Sequence, residues 1–281
     1  MDAQELIGQG RLHDALAALQ DKVRKEPGNA RYRTFLFQLL CVLGQWQRAL
    51  TQLNVVAELD AGALPMVQTY REAIQCEALR GDVFRGTRQP LVFGEPRPWL
   101  AQLMGALQCD AANDLARAAD LRGEAFEAAP ANSGSIDGKP FAWLADADVR
   151  LGPVLEAIIN GKYFWVPMHR IARIEIEPPA DLRDVVWTPA NFTWINGAAT
   201  VGLIPTRYER TTERTTEQAD EALLAGRRTE WVDRGTMSGY GLGQRMLATD
   251  DGEYALRDVR SVEFAPGQPE ADSDAEGAAN G

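Results

Sequence analysis

The sequence predicts an α+β protein, with a half built from helical repeats followed by a mostly β half. Two observations support this division. A step of 34 residues links small and apolar positions near the N-terminus, and Asn-Gly pairs separate apolar runs in the later part of the chain. Helix pairs repeat at the first spacing, and Asn-Gly between apolar runs marks β-hairpins. We therefore expect the structure to change from helix to strand near Ser133.

The step of 34 residues is the period of the tetratricopeptide repeat, a helix-turn-helix unit. It links Gly10 to Gly44, Ala15 to Ala49 and Leu19 to Leu53. In this unit the glycine permits the tight turn, the alanine allows the paired helices to approach closely, and the leucine fills the seam between them. Residues 1–131 are therefore predicted to form two to three tetratricopeptide-like helix pairs with atypical ends.

Apolar periodicity and proline positions predict the individual helices. Pro27 ends one helix, Pro65 opens another, and Pro130 follows the last one, because proline cannot continue a helix. Asn113 replaces the turn glycine of the last pair. The predicted ranges are 11–25, 30–43, 46–59, 65–85, 98–109 and 113–129, and residues 86–98 are predicted to be a loop from their Gly and Pro content.

Residues 135–266 are predicted to form the β-rich domain. Asn160-Gly161 and Asn196-Gly197 separate apolar runs, and Asp251-Gly252 is a third turn signal. Asn and Gly tolerate the positive φ that both central residues of a type I′ hairpin turn require. The apolar positions of residues 171–178 recur in 259–266, each time after a hairpin arm. This repetition predicts a small SH3-like barrel or a twisted antiparallel sheet.

Two stretches have low complexity. Residues 209–226 contain a duplicated ERTT, and a short helix is predicted within 218–225. Residues 267–281 hold four acidic residues and no basic or large apolar ones, so a disordered acidic tail is predicted there. We assign no function to either stretch.

Composition limits the partners and the compartment. A formal net charge of −11, with scattered basic residues, argues against nucleic acid or an anionic membrane as the main partner. No apolar run approaches the roughly 20 residues of a membrane-spanning helix, and no leader pattern stands at the N-terminus. The three cysteines lie in apolar helical patterns typical of reduced thiols. We expect a cytoplasmic protein without membrane insertion.

No motif indicates a catalytic, metal or cofactor site. His13 and His169 lie in different halves, which makes a metal site a poor hypothesis. The glycine-rich residues 239–244 lack the preceding strand and following helix of a dinucleotide-binding loop. Asp146 and Asp148 could act as acid and base, but the nearby arginine favours an ion-paired structural turn. We predict a protein that is not an enzyme and uses no cofactor.

Several stretches resemble one known family. They include FLFQLLCVLGQWQRALTQL at 35–53, DADVRLGPVLEAIINGKYFWVP at 146–167 and VGLIPTRY at 201–208. The resemblance is to the ImpE family, also called TagJ or SciE-type proteins, and it covers about residues 5–266. It implies a non-enzymatic adaptor of a bacterial type VI secretion system. Family members are described as binding the N-terminal helix of the small contractile-sheath subunit, and as linked to the ClpV-type AAA+ ATPase.

The physical reading predicts where such a partner helix docks. A helical-repeat array is open along the side lined by the first helix of each pair, and an amphipathic helix can lie there. The predicted lining residues are Arg31, Thr34, Gln38 and Cys41 of one first helix and Gln68, Arg71 and Gln75 of the next. We predict that a helix with some acidic side chains docks across them, anchored by Arg71 and Gln38. The alternative is that these positions are merely solvated.

Two other functions stay open at this point. A generic tetratricopeptide co-chaperone or scaffold would need a basic clamp for a C-terminal carboxylate, and the lining face offers only Arg31 and Arg71. An enzyme in the β half is the third possibility, because fold alone does not fix function.

Overall fold

The computed structural model describes residues 2–213 and 221–266. Its first 128 residues form the helical array. The helices are α1 (Ala3–Gly8), α2 (Leu12–Lys25), α3 (Ala30–Val42), α4 (Trp46–Leu59), α5 (Leu64–Phe84), α6 (Pro98–Ala111) and α7 (Leu115–Ala128). The six predicted helices are confirmed to within a few residues, and α1 is an additional short helix. The predicted acidic tail lies outside the described residues.

The residues that carry the repeat do so for the expected reasons. Gly10 and Gly44 adopt left-handed φ values of 79° and 68°, and Asn113 takes the same conformation in the turn between α6 and α7. Ala15 and Ala49 are fully buried where paired helices approach each other. The array is therefore built by local sequence signals.

The β half contains fourteen strands with the segment before α6. They are β1 (Leu91–Val92), β2 (Gly134–Ile136), β3 (Lys139–Phe141), β4 (Leu144–Asp146), β5 (Val154–Ile159), β6 (Lys162–Pro167), β7 (Ile171–Ile176), β8 (Trp187–Trp194), β9 (Ala199–Pro205), β10 (Thr229–Val232), β11 (Tyr240–Gly243), β12 (Met246–Thr249), β13 (Glu253–Ala255) and β14 (Ser261–Phe264). A short helix, α8 (Glu221–Leu224), precedes β10 and lies within the predicted range 218–225, whose residues 218–220 fall outside the described part.

Nine of these strands form one sheet in the order β1-β6-β5-β9-β8-β7-β14-β2-β3. The sheet is not closed into a barrel, so the SH3-like alternative is not supported. The repeated segments become β7 and β14, which pair with each other so that Ile174 lies opposite Val262. The hairpins before them enter different sheets, because β12 and β13 join β4 instead. The repetition therefore places two neighbours in one open sheet.

The predicted loop 86–98 and one predicted turn need correction. Leu91 and Val92 form an edge strand parallel to β6, since their backbone pairs with Phe164 and Trp165. The hairpin at Asn160-Gly161 has positive φ at both residues, as a type I′ turn requires. At Asn196-Gly197 the hairpin is present, but only the glycine has positive φ. That connection is instead a tighter turn followed by a left-handed glycine.

One hydrophobic core joins the two halves. Trp187 of β8 packs with its ring centroid 5.6 Å from Tyr70 and 5.9 Å from Trp46. The same cluster includes Ile158 and Trp165 from the sheet. A second cluster fills the space between the nine-stranded sheet and the β4–β12–β13 sheet. The predicted boundary at 131–135 falls between α7 and β2, and the packing across it is continuous.

A buried ion network lies where α5 meets the sheet. The Arg80 guanidinium donates to both carboxylate oxygens of Glu156, at 2.7 and 3.0 Å, and to the Arg207 carbonyl at 2.8 Å. Arg245 contacts Glu156 and Asp146. Burial raises the pKa of Glu156, but the charges of Arg80 and Arg245 outweigh this effect and lower that pKa to about 2. Glu156 is therefore ionised at neutral pH.

The carboxylate pair considered as acid and base is part of this network. Asp148 and Arg150 form an ion pair at 2.7 Å, the structural turn predicted from the sequence. Asp146 instead contacts Arg245 from a distant strand junction. Both aspartates are buried and satisfied by arginines, which accounts for their presence without catalysis.

We predict that Glu156→Gln destabilises the protein by about 3–5 kcal/mol, because it leaves Arg80 and Arg245 buried without a countercharge. Urea unfolding at pH 7 measures the change. Glu175→Gln is the matched control, since Glu175 and its partner Arg173 are about half exposed. The control should change the unfolding free energy by less than about 0.5 kcal/mol. Equal effects of the two substitutions would contradict a structural role for the network.

A second prediction concerns Glu209, in the 3₁₀ helix Glu209–Thr212. Burial raises its pKa from 4.5 to about 7, against the opposing charge of Arg150. In the unfolded chain the carboxyl ionises near 4.5, so the folded state holds an extra proton between these values. Stability should therefore fall as the pH rises from 4.5 to 7, by about 3 kcal/mol from this group.

Glu209→Gln removes that titration. The difference in unfolding free energy between this variant and the wild type should grow with pH across that range and then level off. Urea titrations at pH 4.5, 6 and 7.5 measure it. A difference that is independent of pH would contradict the assignment.

Candidate partner-binding groove

A groove of about 680 Å³ runs along α3. Its walls are α1 on one side and the connection between β7 and β8 on the other. The apolar floor and walls are formed by Ile7, Tyr32, Phe35 and Leu182. Polar and charged side chains surround them, namely Gln4, Arg31, Thr34, Gln38, Asp60 and Asp181. The surface is therefore amphipathic along the length of a helix.

The start of α3 is fixed by its cap. The Asn29 carboxamide oxygen accepts hydrogen bonds from the backbone N–H groups of Arg31 and Tyr32, at 3.1 and 3.3 Å. This side-chain cap satisfies donors that lack an intrahelical partner. The cap therefore sets the rotation at which α3 presents Arg31 and Thr34 to the groove.

The α1 wall is held by a segment far away in the sequence. Arg227 donates to the Ile7 carbonyl at 3.0 Å and to the Gly8 carbonyl at 3.3 Å. Glu221 of α8 accepts from the Leu12 N–H at 2.6 Å and from the His13 N–H at 3.2 Å. Glu221 thus caps α2, whose own Arg11 makes no side-chain cap. Sequence reasoning missed this cap, because no local signal connects residues 209 positions apart.

The opposite wall is the segment before β8. Asp181 and Asp184 form a capping box for the 3₁₀ helix Leu182–Val185. Asp181 also accepts a hydrogen bond from the Gln38 side chain at 2.8 Å and pairs with Arg183 at 2.7 Å. The Arg183 guanidinium lies 4.8 Å from the Tyr70 ring centroid. Burial raises the pKa of Tyr70 to about 12, against the charge of Arg183, so its hydroxyl stays protonated.

The structure brings together three of the seven predicted lining residues. Arg31, Thr34 and Gln38 line the groove. Cys41 follows them on α3 but is fully buried, and burial raises the pKa of its thiol well above the usual value. Cys41 therefore belongs to the core and does not reach the open groove.

The three predicted residues of α5 lie outside the groove. Arg71 donates to the Asn54 side chain at 2.9 Å, and Gln68 contacts Glu72. Gln75 is exposed. A step of 34 residues from Gln38 leads to position 72, so Arg71 is one position out of register with the other anchor. The predicted pair of anchors, Arg71 and Gln38, therefore does not lie on one equivalent face.

The charges of the groove have mixed sign. Arg31 is its one basic lining residue, whereas Asp60 and Asp181 are acidic, and Asp181 is paired with Arg183. Within residues 2–213 and 221–266, no three His, Cys, Asp or Glu side chains gather as a metal site would need. No helix in that same part of the chain has the length and apolar character to span a bilayer. The groove is thus suited to contact a peptide surface.

Comparisons with known proteins agree with this architecture. Residues 138–263 match the ImpE protein family, and residues 6–74 match a tetratricopeptide repeat. The chain is 55% identical over 266 residues to the type VI secretion system accessory component TagJ of Pseudomonas aeruginosa, which covers 95% of this chain and 92% of that protein. The chain belongs to the ImpE/TagJ family. The resemblance seen in the sequence is therefore confirmed.

The fold also occurs in a solved structure. The crystal structure of a Vibrio parahaemolyticus protein superposes with a TM-score of 0.84, at 24% identity, over 94% of this chain and 97% of the other. This similarity shows a shared fold. The tetratricopeptide match ends inside α5, so the α6–α7 pair, predicted as a degenerate repeat, lies beyond the matched part.

Proposed function

We propose that this chain is a non-enzymatic, cytoplasmic accessory component of a bacterial type VI secretion system. On this proposal it binds a helix of a partner protein in the groove along α3. The observation that carries it is the amphipathic groove, with an apolar floor at Ile7 and Phe35 and a polar rim at Arg31 and Thr34. Near full-length identity of 55% to TagJ supports the biological setting.

The partner we propose is the N-terminal helix of the small sheath subunit. An amphipathic helix presents apolar side chains at i, i+3, i+4 and i+7, and a groove with an apolar floor receives such a stripe. Arg31 at the rim suits one of the acidic side chains that we expect beside that stripe. A link to the ClpV-type ATPase is the second part of the proposal, supported by the family resemblance.

The co-chaperone alternative is less well supported. A clamp for a C-terminal carboxylate needs several converging cations, whereas Arg31 is the one basic residue among the groove-lining side chains. Asp60 and Asp181 also line the groove and would repel a carboxylate. The groove therefore favours an internal or N-terminal helix over a free C-terminus.

We predict that the double variant Arg31→Glu/Thr34→Arg weakens binding of a synthetic peptide of the sheath-subunit N-terminal helix by about 1–3 kcal/mol, the scale of an interface hot spot. It reverses the charge at the rim and places a long side chain over the floor. Isothermal titration calorimetry measures the affinity. Circular dichroism should show an unchanged fold, because neither residue is buried.

The matched control is Arg71→Glu/Gln75→Arg on α5, which makes the same kind of change outside the groove. It should leave the affinity unchanged. Loss of binding in this variant alone would move the site to the α5 face. Unchanged affinity in both variants would exclude the helical array and direct the search to the β half.

A further inference from the structure

The protein covers part of its own concave face. We call residues 177–183 the strap; they lead from the end of β7 towards β8. Gln38 and Tyr70 contact the strap, and Cys41 follows Gln38 one turn further along α3. Their exposed fractions are 6%, 7% and 0%. The repeat register places Gln38 and Cys41 on the side where partner helices dock in such arrays, and here a segment of the same chain lies at that side.

Few contacts hold the strap to the helices. Asp181 accepts one hydrogen bond from Gln38, and Arg183 lies over the Tyr70 ring. Leu182 is the strap's apolar contact with the core. Residues 177–180 are exposed, and Pro178 and Pro179 have no backbone N–H to donate. The strap is thus held mainly by two polar side chains and one leucine.

The following residues are held separately. The Thr206 hydroxyl donates to the Asp184 carbonyl, and the Thr206 N–H donates to the Val186 carbonyl, each at 2.9 Å. Val185 and Val186 are buried in the core shared by both halves. The contacts that position β8 are therefore distinct from those that hold the strap against α3 and α5.

We propose that the strap is an autoinhibitory cover of the groove. It occupies the concave face beside Gln38 when no partner is bound, and docking of the partner helix displaces it. Displacement lengthens the accessible face of α3 by about one turn, from Gln38 towards Cys41, and uncovers Tyr70. This inference rests on the proposed function, because it assigns a regulation to the same groove. Only the open fraction of the protein binds, so the closed strap lowers the apparent affinity.

The test weakens the strap and leaves the groove floor intact. Asp181→Ala/Arg183→Ala removes both polar contacts, and the sheath-subunit helix peptide is titrated by calorimetry. The variant should bind about three- to tenfold more tightly, since a lost hydrogen bond of ordinary strength raises the open fraction by that factor. The matched control Arg173→Ala/Glu175→Ala removes an exposed ion pair of 2.9 Å on β7, and its affinity should equal that of the wild type.

Hydrogen exchange on the wild-type protein provides a second readout. The Ala180 and Asp181 N–H groups donate to the Asp184 carboxylate at 2.9 Å. Displacement should break these bonds, so adding the peptide should speed exchange at both amides. This measurement decides the question even where the double variant does not fold.

The outcomes separate the two proposals. Unchanged or weaker binding by the strap variant, or slower exchange at both amides when the peptide is bound, would mean a fixed wall and overturn the cover. The groove proposal would survive that result. A peptide that binds neither the wild type nor the strap variant would overturn the proposed function and the strap's role together. Binding detected for the strap variant alone would support both.

Discussion

The ion pair of Arg80 with Glu156 determines how the helical array meets the sheet. Both side chains are buried, and two charges removed from water are tolerated only with close pairing and additional hydrogen bonds. Those bonds come from different elements: Arg245 and the Tyr163 hydroxyl contact Glu156, and the Arg207 carbonyl accepts from Arg80. The positions of α5, β5 and the residues around β9 and β12 are therefore mutually fixed.

This network also fixes one end of the groove helix. Arg207 donates to the Val42 carbonyl at 2.7 Å and to the Cys41 carbonyl at 3.3 Å, at the C-terminal end of α3. Carbonyls there lack intrahelical partners, so an arginine from the sheet half satisfies them. Burial lowers the pKa of Arg207 to about 10, which leaves it charged at neutral pH. The end of α3 is thus anchored in the core, and its first two turns face the open groove.

Local patterns predicted the parts of the fold that local forces determine. The 34-residue step between Gly10 and Gly44 predicted the helix pairs, because a left-handed turn residue and a buried small residue are needed wherever two helices pack closely. Asn196-Gly197 predicted a hairpin but not its turn type, since a glycine serves a bulge as well as a type I′ turn. The strand order could not be predicted, because pairing of β7 with β14 joins residues about 90 positions apart.

The groove was predictable only in its floor. Periodicity within one helix placed Arg31, Thr34 and Gln38 on one face, and all three line the groove. The step to the next helix was misjudged by one residue at Arg71, and a one-residue error on a helix rotates a side chain by about 100°. The walls come from α1 and from residues 180–182, and the supports Glu221 and Arg227 come from a low-complexity stretch. Contacts of this kind have no signature in the neighbouring sequence.

Because the walls belong to other parts of the chain, binding in the groove is coupled to the sheet half. The strap leads within a few residues to Trp187, which packs on Tyr70 and Trp46 and donates to Glu77 at 2.9 Å. A partner that displaces the strap therefore acts on the start of β8. By reciprocity, a second partner that shifts β8 or the strap must change the affinity of the groove by the same factor. A single chain can in this way link two partners of a secretion machine without a continuous surface between their sites.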